Sequence, residues 1–154
     1  KAKHRIGRFD LTGQSSGGRL VAILLTMRSD IRCAVSASGG LAQRQLFQLR
    51  GWRWKRFIVD PISIVDKIVP DADRRIFLLG DQWDQIVPIE IQQSYHDAIV
   101  AAGHRPLLIA VRGKARGKNY HGLAGVALRV AKWCADGLED AEIRERVARI
   151  PNRG

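Results

Sequence analysis

Several residue types are scarce in this chain. Its 154 residues include one methionine, two tyrosines, two cysteines and five prolines, and aromatic side chains make up only 6%. No run of about 18 apolar residues occurs, so no membrane-spanning helix is encoded. There is no internal repeat and no low-complexity segment, which excludes stacked-repeat architectures and compositionally biased tails. The two cysteines lie far apart, and neither they nor the four histidines follow a ligand spacing, so neither a metal nor another cofactor is expected. Cys33 falls in an apolar strand-like run and Cys134 in a helix-like one. Two buried free thiols, in the reducing setting of the cytoplasm, are the expectation. Acidic residues are also in the minority, 15 against 26 Lys and Arg, for a formal net charge of +11. Such a charge suits anionic partners. The basic residues are nevertheless scattered outside two clusters, 50–56 and 112–118, as on solvated faces, and nucleic-acid binding is the least favoured reading. The chain opens at Lys1 without an initiator methionine or a hydrophobic leader, as expected of a fragment or a trimmed product.

Apolar residues make up 45% of the chain, enough for a real core. One domain over 1–154, or part of one, is expected, with a charged helix or tail over 138–154. Strand patterns fall at 8–12, 31–36, 75–80 and 106–111, and helix patterns at 16–27, 89–102 and 124–135. This alternation predicts an α/β fold: a mostly parallel sheet of about four strands flanked by helices on both sides. Residues 41–69 are less regular. Trp52, Trp54 and Phe57 stand among basic residues there, and their rings are expected to pack inward. Asp60-Pro61-Ile62-Ser63 reads as a helix start capped by Asp60 or Ser63.

One stretch organises the rest. Gly13-Gln14-Ser15-Ser16-Gly17 reads Gly-x-Ser-x-Gly, with a strand pattern before it and an apolar helix pattern after it. A serine at such a turn is held clear of the sheet, at the positive end of the following helix. Gly13 and Gly17 are expected to be glycine for steric reasons, since side chains there would collide with the neighbouring strand and helix. Two further polar residues fall where parallel sheets carry their active sites, at the carboxyl ends of strands. Asp84 follows the third strand in Asp84-Gln85-Ile86-Val87-Pro88, with Asp81 as a rival acid. His121 follows the fourth strand, whereas His96 falls in a helix and His104 at the amino-end side of a strand.

With its elbow, acid and histidine in that order, the chain resembles the carboxyl-terminal half of an α/β-hydrolase catalytic domain, over about residues 6–136. It is most similar to the prolyl-oligopeptidase-like and esterase branch, through Gly13 to Gly18, Gly80 with Asp84 to Pro88, His121-Gly122 and the helix bearing Gln92 to Tyr95. The resemblance implies a serine hydrolase that cleaves an ester or amide bond. In it Ser15 is the nucleophile, His121 the general base and Asp84 the residue that orients the imidazole. The Ser16 N–H would be one oxyanion donor, worth about 3 kcal/mol. In that branch the acid usually stands three positions after the strand glycine, where this chain has Trp83, so the loop is one residue longer.

The resemblance also exposes a gap. The strands that precede the elbow in the family, and the loop that supplies the second oxyanion donor, are missing. The expected partners are therefore an ester or peptide substrate and, along the open sheet edge, an upstream segment or a second chain. A basic loop at 112–118 would either favour acidic substrates or simply be mobile. The competing reading is a binding or scaffold protein that kept the fold without the activity.

Overall fold

The computed structural model describes residues 7–53, 58–111 and 121–150. Four strands, β1 (Phe9–Gln14), β2 (Ile31–Ala37), β3 (Arg75–Asp81) and β4 (Pro106–Val111), form one sheet in chain order. All three pairings are parallel, so each strand needs a crossover, and the chain supplies it mainly as helix. Helix α1 (Ser16–Leu24) links β1 to β2. Helix α2 (Gln43–Leu49) and a 3₁₀ segment (Pro61–Lys67) lie between β2 and β3. Helix α3 (Ile89–Ala101) links β3 to β4, and α4 (Ala124–Ala135) and α5 (Asp140–Arg149) follow.

The central strands β2 and β3 bury both faces, which explains their nearly continuous apolar composition, whereas the edge strand β1 has no fully buried residue. Side chains alternate between two cores. Ala34, Ile76 and Leu78 point to a core shared with Val21 of α1, with Leu25 at its C-cap and with Ile91, Tyr95 and Ile99 of α3. Cys33, Val35, Phe77, Leu79 and Ile109 point to the other, closed by Val126 and Val130 of α4 and Ile143 and Val147 of α5. The charged tail thus contains a helix that belongs to the second core, and Arg75 at the start of β3 pairs with Asp140 of α5 at 3.0 Å from Nε.

Two features of this scaffold run against the sequence-based expectations. Cys33 and Cys134 are not free thiols. They form a disulfide with Cα atoms 6.3 Å apart, because α4 lies over the face of β2 that carries Cys33. Free thiols therefore no longer speak for a reducing compartment. Asp60, in turn, does not cap the segment that follows it. Its carboxylate reaches back to α2, accepting the N–H of Gln43 at 2.7 Å and that of Arg44 at 3.1 Å. Ser63 instead donates its hydroxyl to the Asp60 carbonyl. At the amino ends of the strands Arg74 is buried, and its guanidinium donates to the carbonyls of Ile31, Val69 and Arg28. A charge there is tolerated because three carbonyl acceptors surround it. Among the described residues no helix is long and apolar enough to cross a membrane.

Candidate active site

The strand β1 runs two residues beyond its predicted end, because Gly13 and Gln14 stay in register with Ser36 and Ala37 of β2. Ser15 then turns the chain into α1 with φ 55° and ψ −119°. A non-glycine residue at positive φ is strained and persists only where its surroundings hold it. Here the Ser15 N–H donates to the Ala37 carbonyl at 2.9 Å, and the Ser15 carbonyl accepts from Arg19 in the first turn of α1 at 3.0 Å. The hydroxyl makes no capping bond to the helix, so it stays available. The first N–H groups of α1, that of Ser16 among them, have no acceptor within the helix.

The glycine requirement differs from the expected one. A β-carbon on Gly13 would run into the backbone of Gly17 and Gly18, but one on Gly17 would meet nothing within 4 Å. The close approach is made by Gly18, where a β-carbon would lie 2.8 Å from Ser36 Oγ and 3.1 Å from the Gly39 Cα. Gly17 is thus not held by sterics, and Gly18 carries the contact between helix and sheet.

Asp84 lies in the loop after β3 and is 5% exposed. Its Oδ1 accepts the N–H groups of Ile86 and Val87, each at 2.8 Å. This clamp is what the Asp-x-x-Val-Pro spacing produces, a carboxylate folded onto the backbone two and three residues ahead. Both carboxylate oxygens also face His121 Nδ1, at 3.0 and 2.8 Å. Burial alone would raise the Asp84 pKa. The bonds from His121, the proximity of the Ser38 hydroxyl and the bonds from the Val87 and Ile86 N–H groups outweigh it and hold the carboxyl below the usual aspartate range. Ser38 is itself fully buried at φ 43°, and its hydroxyl has no well-formed hydrogen bond of its own, yet it stands close enough to favour the charged carboxylate.

An ionised carboxylate only accepts, so His121 presents Nδ1–H to Asp84, and the Nε2 of the neutral ring carries a lone pair. Among the described residues that buried Nε2 has no hydrogen-bond partner, and the Ser15 hydroxyl is not bonded to it. The histidine is nonetheless tied to the serine turn, since the Gln14 side-chain amide donates from Nε2 to the His121 carbonyl at 2.8 Å. The rival groups make other contacts. Asp81 Oδ1 accepts the Trp83 N–H at 2.8 Å. His96 faces Asp97 on α3 at 2.9 Å, and His104 lines a cleft of about 550 Å³ beside Arg74 and Ile76, near the amino ends of β3 and β4.

Sequence reasoning missed Gln14 and Ser38. Gln14 occupies a variable position of the elbow pattern and Ser38 a run of small residues, and neither type carries a chemical signature there. Trp52 does not pack inward as expected. It is half exposed and lies edge-on to Phe47, centroids 5.5 Å apart. Trp54, Phe57 and the basic loop 112–118 lie outside the described residues. Among the described residues no group of three or more His, Cys, Asp or Glu side chains could hold a metal ion.

No family model and no curated protein sequence matches the chain. Solved structures do resemble it. The uncomplexed acylaminoacyl peptidase of Pyrococcus horikoshii superposes with a TM-score of 0.61 at 17% identity, over 96% of this chain and 25% of that one. A puromycin-hydrolysing peptidase of Mycobacterium tuberculosis gives 0.60 at 14% identity, over 96% and 23%. A Klebsiella pneumoniae protein assigned as a dienelactone hydrolase gives 0.54 at 16%, over 90% and 48%. The chain therefore spans about a quarter of the peptidases and about half of the third protein. At these identities the likeness is one of architecture: four parallel strands covered by helices, part of the α/β-hydrolase fold.

Proposed function

We propose that the chain is the elbow-bearing part of a serine hydrolase acting on an ester or amide bond. The observation that carries the reading is the state of His121: Nδ1 held by a clamped, buried carboxylate and Nε2 buried without a partner. An imidazole so arranged is a base waiting for a proton. Ser15, one residue beyond the glutamine that holds the His121 backbone, supplies it. The Ser15 oxygen attacks the carbonyl carbon while its proton passes to His121 Nε2. The resulting oxyanion is met by the Ser16 N–H. Collapse expels the alcohol or amine, protonated by His121, and leaves an acyl group on Ser15. Water, activated by the same imidazole, then releases the acid. Asp84 keeps the ring in the required tautomer and stabilises its cation.

The edge of β1 away from β2 has no strand against it among the described residues. We place there the upstream segment or second chain that would complete the sheet and bring the second oxyanion donor. The structurally similar peptidases and hydrolase support ester or amide cleavage, and do not choose between them.

A fluorophosphonate probe tests the reading on the full-length protein. Labelling is expected at Ser15, absent in Ser15→Ala and slowed roughly 10⁴-fold in Asp84→Asn, where the ring loses its orienting charge. A full-length protein that stays unlabelled would instead support a hydrolase fold kept for binding, and a Ser15→Ala variant labelled like the parent would overturn Ser15 as the nucleophile.

A further inference from the structure

Within the centre proposed above, on which this inference rests, we propose that Gln14 is a positioning residue that sets His121 relative to Ser15. The Gln14 amide donates to the His121 carbonyl at 2.8 Å across 107 residues of sequence. His121 is thereby gripped at two ends, its ring by Asp84 at 2.8 Å and its backbone by Gln14. A ring held only by Asp84 could pivot about that contact and swing Nε2 away from the serine. A second anchor on the backbone of the same residue removes that freedom.

The second anchor comes from the residue that precedes Ser15. Gln14 is the last residue of β1 and is paired in register with Ala37, and the next N–H, that of Ser15, donates to the carbonyl of Ala37. Nucleophile and base are therefore referred to one rigid point of the sheet. If β1 shifts, the serine moves with it, and the amide carries the histidine along. The residue type suits the task. The anchor must donate a hydrogen bond, reach from the strand end to the segment before α4, and carry no charge that would compete for the imidazole or for Asp84. Glutamine meets all three requirements. Glutamate of the same length would face the carbonyl with an acceptor and add a negative charge, and methionine would fill the space without donating.

Productive geometry in such centres is narrow, and a displacement of about 1 Å can cost on the order of 100-fold in rate. Gln14→Met and Gln14→Glu should therefore slow fluorophosphonate labelling of Ser15, and kcat on a chromogenic ester, by roughly 10- to 100-fold with KM little changed. In a His121→Ala background the same substitutions should cost nothing further, because the residue through which Gln14 acts is gone. The proton on His121 Nδ1, read by NMR in the resting protein, should shift or broaden in both variants. Labelling at the parental rate, an equal loss with and without His121, or an unmoved Nδ1 proton overturns the proposal. The two variants guard against a folding defect in either one. A protein that is never labelled sinks the hydrolase reading but leaves the NMR comparison to decide the role of Gln14.

Discussion

Gly13 sits so close to Gly18 that a β-carbon on the former would stand 2.9 Å from the backbone nitrogen of the latter, and nearer still to the Gly17 carbonyl. These are backbone atoms of a strained turn and cannot rotate aside. Gly13→Ala should cost about 1–3 kcal/mol, as overpacking does, and displace Ser15. Gly17→Ala should behave in the opposite way. Its β-carbon meets open space in the first turn of α1, where alanine is the better helix former by up to about 1 kcal/mol. Thermal unfolding of the two variants checks this. Equal destabilisation by both would show that the turn is not built as described.

The bond between Cys33 and Cys134 closes a loop of 101 residues and fixes α4 to the sheet. Chain-entropy arguments give a crosslink of that span a few kcal/mol, and removing such bonds typically costs about 2–5 kcal/mol. Because α4 begins three residues after His121, the loss should loosen the histidine as well as the core. The double variant Cys33→Ala with Cys134→Ala should unfold at lower denaturant and lose activity faster on warming. An unchanged midpoint, or two alkylatable thiols in the native parent protein, would remove the crosslink from the account.

What was legible in the sequence follows from how local each signal is. β3 and β4 are apolar runs bounded by polar or turn residues, and their limits agree with the reading to within a residue. The turn holding Ser15 and the loop holding Asp84 are marked in the sequence by glycines and by a Val-Pro pair, although the last residues of the strand before Ser15 are not. The end of β1 was misplaced because a glycine argues against a strand locally, whereas here pairing to Ser36 and Ala37 overrides it. The start of α2 was invisible because Ala42 offers no cap, and the cap comes from Asp60. The disulfide and the Gln14–His121 bond join positions about a hundred residues apart, and no spacing rule reaches that far.

The reach of Asp60 to α2 has a measurable value. Its two carboxylate oxygens satisfy two of the N–H groups that the helix start leaves without partners. Asp60→Ala should destabilise by about 1 kcal/mol, the usual cost of losing a cap, while Asp60→Asn keeps an acceptor oxygen and should cost less. Amide hydrogen exchange at Gln43 and Arg44 should quicken in the alanine variant. No change at those two amides would mean that water serves α2 as well as Asp60 does.

His104, between α3 and β4, gives the fold a pH dependence whose sign can be worked out. Burial first, and then the charge of Arg74, hold its pKa below the usual imidazole value. The folded protein therefore resists a proton that the unfolded chain accepts at about pH 6.5. Where the unfolded state binds more protons, stability rises with pH. The contribution of His104 is thus complete above the unfolded value and is lost as pH falls below it, until the folded protein too is protonated. Substitution by asparagine or glutamine removes the titrating group, so His104→Gln should flatten the stability profile as pH falls through the unfolded imidazole value of about 6.5 relative to the parent. The carboxylates of Asp84 and Asp10, held low by their partners, shape only the more acidic range and are common to both proteins. Denaturant unfolding at a series of pH values supplies the comparison, and parallel profiles for parent and variant would show that His104 is as free to protonate in the fold as in the open chain.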